Sequence, residues 1–166
     1  MTRAGIGYDV HRFADGRKLV LGGVQIPHEC GLEGHSDADA LSHAIADAIL
    51  GAAGLPDIGH HFRTDDPTIK GISSLRILAR AAELARDAGG VLVNIDATLI
   101  AEAPRVSPHL AAMKEAVGGA LGLDPRLVGI KATTNEGMGF LGRGEGIAAL
   151  AVASVDFPDT AGRDNA

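Results

Sequence analysis

An α+β fold is what the sequence predicts, built as a mixed β-sheet with helices covering one face. Strand-like runs stand near both ends of the chain, an alternating one over 6–13 and an apolar one over 147–157. Three runs with helical spacing lie between them, and no internal repeat or linker divides the whole. Residues 1–158 therefore form a single domain, with 159–166 as a flexible C-terminal tail. The last strand is apolar at nearly every position, whereas a sheet covered on one side alternates, so its second face is expected to meet another subunit.

Each element has its own local reason. In the first strand Ile6, Tyr8, Val10 and Arg12 alternate with Gly7, Asp9, His11 and Phe13, which puts Asp9 and His11 on one face. Gly22-Gly23 joins 18–21 to 24–26 as a short hairpin that Pro27 ends, and 30–34 is a loop. The stretch HSDADALSH, 35–43, opens a helix. Ser36 and Asp39 stand at capping-box spacing, and Leu41, Ala44, Ile45, Ala48, Ile49 and Ala52 form its apolar stripe. Asp39, His43 and Asp47 are i, i+4 neighbours on the side away from that stripe, and Asp37 and Asp39 start or support the helix. After glycines at 51 and 54, residues 55–67 make a polar, irregular connection with Asp57, His60 and His61, a length that points to function.

The second helix takes Ser73 or Ser74 as its cap, buries Leu75, Leu78, Ala82 and Ala85, and stops at Gly89-Gly90. Over 91–101, Val91, Val93, Ile95, Ala97 and Leu99 alternate with Leu92, Asn94, Asp96, Thr98 and Ile100, the strongest strand pattern in the chain. Ala103-Pro104 breaks it. Ser107 as N-cap and Pro108 as first helical residue begin a third helix with the stripe Leu110, Met113, Val117 and Leu121. A strand over 127–133, a glycine-rich turn over 137–146 and the apolar strand 147–157 complete the order.

Composition narrows the function. A formal net charge of −6 argues against a general binder of nucleic-acid backbone. One cysteine, Cys30, allows no intrachain disulfide and suits a reducing compartment. With neither a secretory h-region nor an apolar run of membrane-spanning length, the expectation is a cytoplasmic protein that binds no membrane.

Two constellations carry chemistry. Asp9 and His11 from a strand and His43 from a helix make two imidazoles and a carboxylate, a set that suits zinc with one coordination position left for a phosphate oxygen. Such residues also occur singly in structural roles, and spacing alone does not bring them together. The second is the run KATTNEGMGFLGRGEG. Lys131 and Thr133 share a strand face, and Thr134, Asn135 and Glu136 follow where backbone amides, hydroxyls and a carboxylate meet at the strand's end, a place for magnesium with phosphate oxygens. An ordinary glycine-rich hairpin is the alternative. The GxxxxGK[ST] phosphate loop is absent, and no GxGxxG follows a strand and opens a helix.

GIGYDVHRF, HSDADALSHAIADAILGAAGLPDIG and KATTNEGMGFLGRGEGIA, in that order and covering nearly the whole chain, resemble the signatures of the 2-C-methyl-D-erythritol 2,4-cyclodiphosphate synthase family of the non-mevalonate isoprenoid pathway. The resemblance implies a lyase with a single catalytic domain. Asp9, His11 and His43 fall on the family's zinc ligands, and Glu136 on the residue that holds magnesium or manganese between the α and β phosphates of the substrate. His35 and Thr134 match the positions that place the diphosphate for attack, with Ser36 beside His35. Asp57, Ile58 and Gly59 match the segment that contacts the methylerythritol unit, followed by Phe62 and Asp66. Residues 101–107, with Ala101 and Arg105, and 133–136, with Thr133 and Asn135, match the cytidine-binding segments.

The family is a homotrimer with active sites between subunits. Phe140, Arg143 and Glu145 match residues around its central axis, where some members hold an isoprenoid diphosphate. Two departures stand out. The family's FPDTDP is here FRTDDP, 62–67, and the family's frequent Lys is here Arg105, which keeps the charge but replaces a point ammonium with a planar fork. The implied reaction turns 4-diphosphocytidyl-2-C-methyl-D-erythritol 2-phosphate into the cyclic diphosphate and CMP. The substrate's own 2-phosphate is the nucleophile, which fits the lack of a Ser/His/Asp or Cys/His set. Two rivals remain open at this level: a metal-dependent phosphohydrolase, and a non-catalytic trimeric protein that binds isoprenoid diphosphates.

Overall fold

The computed structural model describes residues 1–63 and 70–158, so Asp66 and the expected tail 159–166 lie outside the described residues. The strands are β1 (Thr2–Ala14), β2 (Leu19–Leu21), β3 (Val24–Ile26), β4 (Gly31–Leu32), β5 (Val91–Ile100), β6 (Val128–Thr133) and β7 (Gly146–Asp156). The helices are α1 (Ala40–Ala53), α2 (Ile58–His61), α3 (Ser74–Asp87), α4 (Leu110–Leu121) and α5 (Gly139–Gly142). A five-stranded sheet runs in the order β4-β1-β7-β5-β6, parallel only between β5 and β6, and β2-β3 is a separate hairpin. The fold is the α+β arrangement expected. No helix among the described residues is long and apolar enough to cross a membrane.

Small residues set the closest contact in the core. Gly5 and Gly7 of β1 face Ala44, Ala48 and Ala52 of α1; a Cβ at Gly7 would lie 1.9 Å from the Ala44 carbonyl oxygen, and one at Gly5 2.0 Å from that of Ala48. Helix and strand backbones therefore touch directly, which carries His43 of α1 to the level of Asp9 and His11. Leu41, Ile45, Ile49 and Leu50 of α1, Leu78 of α3, Met113 of α4 and Leu99 of β5 fill the space around this contact.

The structure departs from the pattern-based expectations in several places. α1 is not amphipathic: only Asp47 and Gly51 escape burial, because the helix lies between the sheet and α3, and Asp39 and His43 on its polar side meet other protein groups and not water. Its N-cap is Asp39 and not Ser36. Asp39 is completely buried and accepts from Ser42 N (3.0 Å), Ser42 Oγ (2.7 Å), Gly22 N (2.8 Å) and Gly23 N (2.7 Å), so one carboxylate starts the helix and fastens the β2-β3 turn. Burial pushes its pKa up even though Ser42, Gly23 and Gly22 donate to it.

In β5 a bulge between Leu92 and Asn94 shifts the register against β7, which turns Val91 and Val93 outward while Ile95, Ala97 and Leu99 stay buried. Ser107 does not cap α4: Ser107–His109 is a 3-10 turn, and the Ser107 hydroxyl accepts from Arg105 Nε at 3.0 Å. Part of the expected 30–34 loop is β4, which pairs with the end of β1, while the polar connection and the glycine-rich turn contain the one-turn helices α2 and α5.

The sheet face away from the helices carries an apolar patch. Ile6 lies opposite Val152 and Tyr8 opposite Leu150 across the β1-β7 ladder, and all four are exposed, Ile6 at 68%.

Candidate active site

Asp9 and His11 alternate inward on β1, and α1 delivers His43 against them, so a strand and a helix meet at one group of ligand atoms. Asp9 Oδ2 lies 2.9 Å from His11 Nε2 and 3.0 Å from His43 Nδ1, and the two nitrogens are 3.3 Å apart. Ligands on tetrahedral zinc, with bonds of about 2.0–2.1 Å, stand about 3.3 Å from one another. The donor set and its spacing fit that ion. Among the described residues this is the one group of three or more possible metal ligands.

The outer edges of both rings are held. His11 Nδ1 donates to the Glu33 carbonyl oxygen (2.6 Å), and His43 Nε2 lies 2.9 Å from Ser74 Oγ and 3.3 Å from Ser36 Oγ. The inner nitrogens are thus left to the site. Burial pushes the Asp9 carboxyl up, but hydrogen bonds from His11 and His43 and their charge outweigh it and hold it well below the usual carboxylate range. For His11 burial works against the charged form, yet the bond to and charge of Asp9, with the Glu33 carbonyl, raise it above the ordinary imidazole value.

The predicted substrate residues fall around two cavities. One, of about 190 Å³, is lined by His11, Gly34, His35, Ser36, His43, Ile58, Gly59, Phe62, Ile72 and Ile77, so His35 and Ser36 adjoin the ligands. Asp57 caps α2 by accepting from His60 N at 3.1 Å. Asp47, half-buried, accepts from Ile58 N at 2.8 Å and fixes α2 to α1. The second cavity, of about 200 Å³, is lined by Ala101, Glu102, Pro104, Arg105, Val106, Ser107, Ala132, Thr133 and Thr134. Beside it Thr134 Oγ1 donates to Glu136 Oε1 (2.8 Å), Asn135 Nδ2 donates to the Met138 carbonyl oxygen (2.7 Å), and Glu136 has φ of +51°, rare outside glycine.

The structure brings the first set together and the second set together, but not the two into one place within this chain. β7 and β5 lie between β1 and β6. Three strand spacings put the rows of Asp9 and Thr133 about 14 Å apart. Phe140 and Glu145 line a third depression with Val10, His11, Arg12 and Phe13, and Arg143 donates to Glu145 at 2.7 Å.

Two supporting residues escaped the sequence reading, and a third, Asp37, was read only in part. Arg17 donates to the carbonyl oxygens of Gly34 (2.9 Å) and Ser36 (2.6 Å) and so holds the His35 loop. Glu102 Oε1 accepts from Asn135 N (2.8 Å) and Gly137 N (3.3 Å) and holds the Glu136 turn. Asp37 accepts from Asp39 N at 3.4 Å at the start of α1, as expected, and also from Ser74 N at 3.0 Å, so it joins the starts of α1 and α3. Only the acid standing directly after strand 91–101 gave a signal, at Glu102; Arg17 and Asp37 act across contacts that no local pattern encodes.

The fold agrees with comparisons to known proteins. The YgbB family model matches residues 2–156. The 2-C-methyl-D-erythritol 2,4-cyclodiphosphate synthase of Akkermansia muciniphila is 63% identical over 156 residues, 93% of this chain and 92% of that protein. A 2C-methyl-D-erythritol-2,4-cyclodiphosphate synthase solved in its CDP-bound form superposes with a TM-score of 0.85 at 35% identity, over 93% of this chain and all of that one. The bifunctional IspDF of Campylobacter jejuni reaches a TM-score of 0.91 at 41% identity over 96% of this chain, which spans only 43% of that longer protein. The chain belongs to the YgbB family, together with these 2-C-methyl-D-erythritol 2,4-cyclodiphosphate synthases.

Proposed function

We propose that this chain is a cytoplasmic lyase that converts 4-diphosphocytidyl-2-C-methyl-D-erythritol 2-phosphate to 2-C-methyl-D-erythritol 2,4-cyclodiphosphate and CMP. The 2-phosphate forms a bond to the β-phosphorus as the bond to the CMP oxygen breaks, so no protein nucleophile and no water is consumed. The observation that carries the reading is the Asp9, His11 and His43 triad opening onto a cavity bordered by His35 and Ser36 in a chain of this family.

Asp9, His11 and His43 would hold zinc, and Glu136 would hold magnesium or manganese on the diphosphate. Bound there, the two ions supply positive charge that offsets the repulsion between attacking and leaving phosphates. The chain's own residues do the rest. His35 and Thr134 orient the diphosphate, with Ser36 beside His35, and Asp57, Ile58, Gly59, Phe62 and Asp66 receive the erythritol unit. Ala101, Arg105, Thr133 and Asn135 receive the cytidine and its phosphate. Holding the 2-phosphate in line with the leaving oxygen supplies up to about 7–11 kcal/mol of the barrier reduction.

The working particle is a homotrimer. One diphosphate cannot reach both the triad and Glu136 within a chain where the two rows stand about 14 Å apart, so the cytidine half of each site comes from a neighbouring subunit. The exposed patch of Ile6, Tyr8, Leu150 and Val152 is the surface such neighbours would cover. Phe140, Arg143 and Glu145 then gather near the axis, where an isoprenoid diphosphate is the ligand of matching chemistry.

The test is an assay with the nucleotide substrate. CMP and the cyclic diphosphate should appear in equal amounts without inorganic phosphate, turnover should stop on chelation, and zinc with magnesium should restore it. Stoichiometric phosphate release would make the chain a phosphohydrolase, and binding without turnover in the presence of both metals would make it a binding protein.

A further inference from the structure

We propose that Ser74, held by Asp37, is a positioning residue for the metal centre: its hydroxyl accepts the His43 Nε2 proton and so leaves Nδ1, which meets Asp9 Oδ2 at 3.0 Å, as the nitrogen that gives up its hydrogen to a cation. The inference rests on the metal reading above and extends it to two residues outside the ligand set. The direction of each bond decides the matter. Ser74 has one hydroxyl hydrogen, and its shortest contact is to Asp37 Oδ1, a carboxylate oxygen that only accepts. What Ser74 Oγ offers His43 Nε2 at 2.9 Å is therefore a lone pair, and the ring must place its proton there.

Neither partner is free to turn. Asp37 Oδ2 accepts from Ser74 N at 3.0 Å, and Asp37 N donates to the Ile72 carbonyl oxygen at 3.1 Å. Ser74 is fully buried and His43 is 7% exposed, so water does not compete for Nε2. The other hydroxyl near that nitrogen, Ser36 Oγ, is farther off at 3.3 Å, a weaker contact than the 2.9 Å to Ser74. Without a cation Nδ1 donates to the Asp9 carboxylate, which only accepts; once a cation takes that hydrogen's place, the Asp37-Ser74 pair keeps the remaining ring proton on Nε2. Because Ser74 opens α3 and Asp37 follows the His35-Ser36 loop, the pair also ties ligand orientation to the substrate side of the cavity.

Ser74→Ala tests this with the full chain, since the Asp37 bond to the backbone N of residue 74 survives and α3 keeps its start. Zinc affinity, measured by competition with a chromogenic chelator, should fall about 10- to 100-fold. The ¹⁵N ring shifts of His43 in zinc-loaded protein should show Nε2–H with the metal on Nδ1 in the unaltered chain and a mixture in Ser74→Ala, and Ser74→Thr should restore both readouts. Asp37→Asn is a second route: it frees the Ser74 hydrogen to point at Nε2, drives the ring to Nδ1–H and weakens zinc binding. Wild-type zinc affinity in both Ser74→Ala and Asp37→Asn, or a His43 ring without Nε2–H in the zinc-loaded unaltered protein, would overturn the role of the pair while leaving the metal site standing. Failure of the unaltered protein to bind zinc would instead overturn the metal reading itself.

Discussion

His43→Ala is expected to lose its high-affinity metal and at least about 100-fold in turnover, since charge stabilisation by a bound ion is worth several kcal/mol and each 1.4 kcal/mol is tenfold in rate. The fold should survive. The apolar contacts of α1 run through Leu41, Ile45, Ile49 and its alanines, and the backbone approach to Gly5 and Gly7 is untouched. The change removes one imidazole from the triad and leaves Asp9 with His11, which still draws the carboxyl down. Metal content by atomic absorption, turnover by CMP release and subunit mass by light scattering separate the roles. Loss of association would make His43 a structural residue, and retained metal with retained turnover would remove it from the site.

Leu150→Asp is expected to give a folded chain that neither associates nor turns over. Leu150 lies beside Tyr8 on the sheet face away from the helices, where the isolated subunit leaves it 40% exposed, so a carboxylate there costs one subunit little. Around an axis the same change brings several unpaired charges into an apolar contact, at several kcal/mol for each buried ion. Monomers would then hold the triad and the Glu136 turn too far apart to share a diphosphate. Circular dichroism, light scattering and CMP release report the three outcomes. An active monomer would end the shared-site reading, and an unchanged trimer would move the interface elsewhere.

How much of this was legible in the sequence follows from the range of the interactions involved. Asp9 and His11 on one face of a strand follow from alternation, and the Gly54 stop and the Met113, Val117, Leu121 stripe follow from local chemistry. The outward turn of Val91 and Val93 does not, because the bulge is set by pairing with β7, some sixty residues away. Asp39 starts α1, as expected, but as its N-cap and not as the far partner of Ser36. Its spacing from Ser36 is that of a capping box, but its carboxylate is occupied by Ser42 and by the hairpin glycines, contacts that exist only once the hairpin docks. In the site, the triad became a single centre only with the close packing of Gly7 on Ala44. The supporting shell of Arg17, Asp37, Ser74 and Glu102 is a product of tertiary structure throughout.

The most direct measurement is complementation between two inactive chains. His43→Ala lacks the zinc half of its site and Glu136→Gln the magnesium half, so each homotrimer should be nearly silent. Subunits exchanged under mild denaturation and reassembled should form mixed trimers with roughly one intact site each, where an unaltered triad faces an unaltered Glu136 across an interface. Recovery of CMP release in the mixture, well above either parent, is the result predicted here. A mixture of verified mixed trimers as silent as its parents would place both halves within one chain and contradict the shared site.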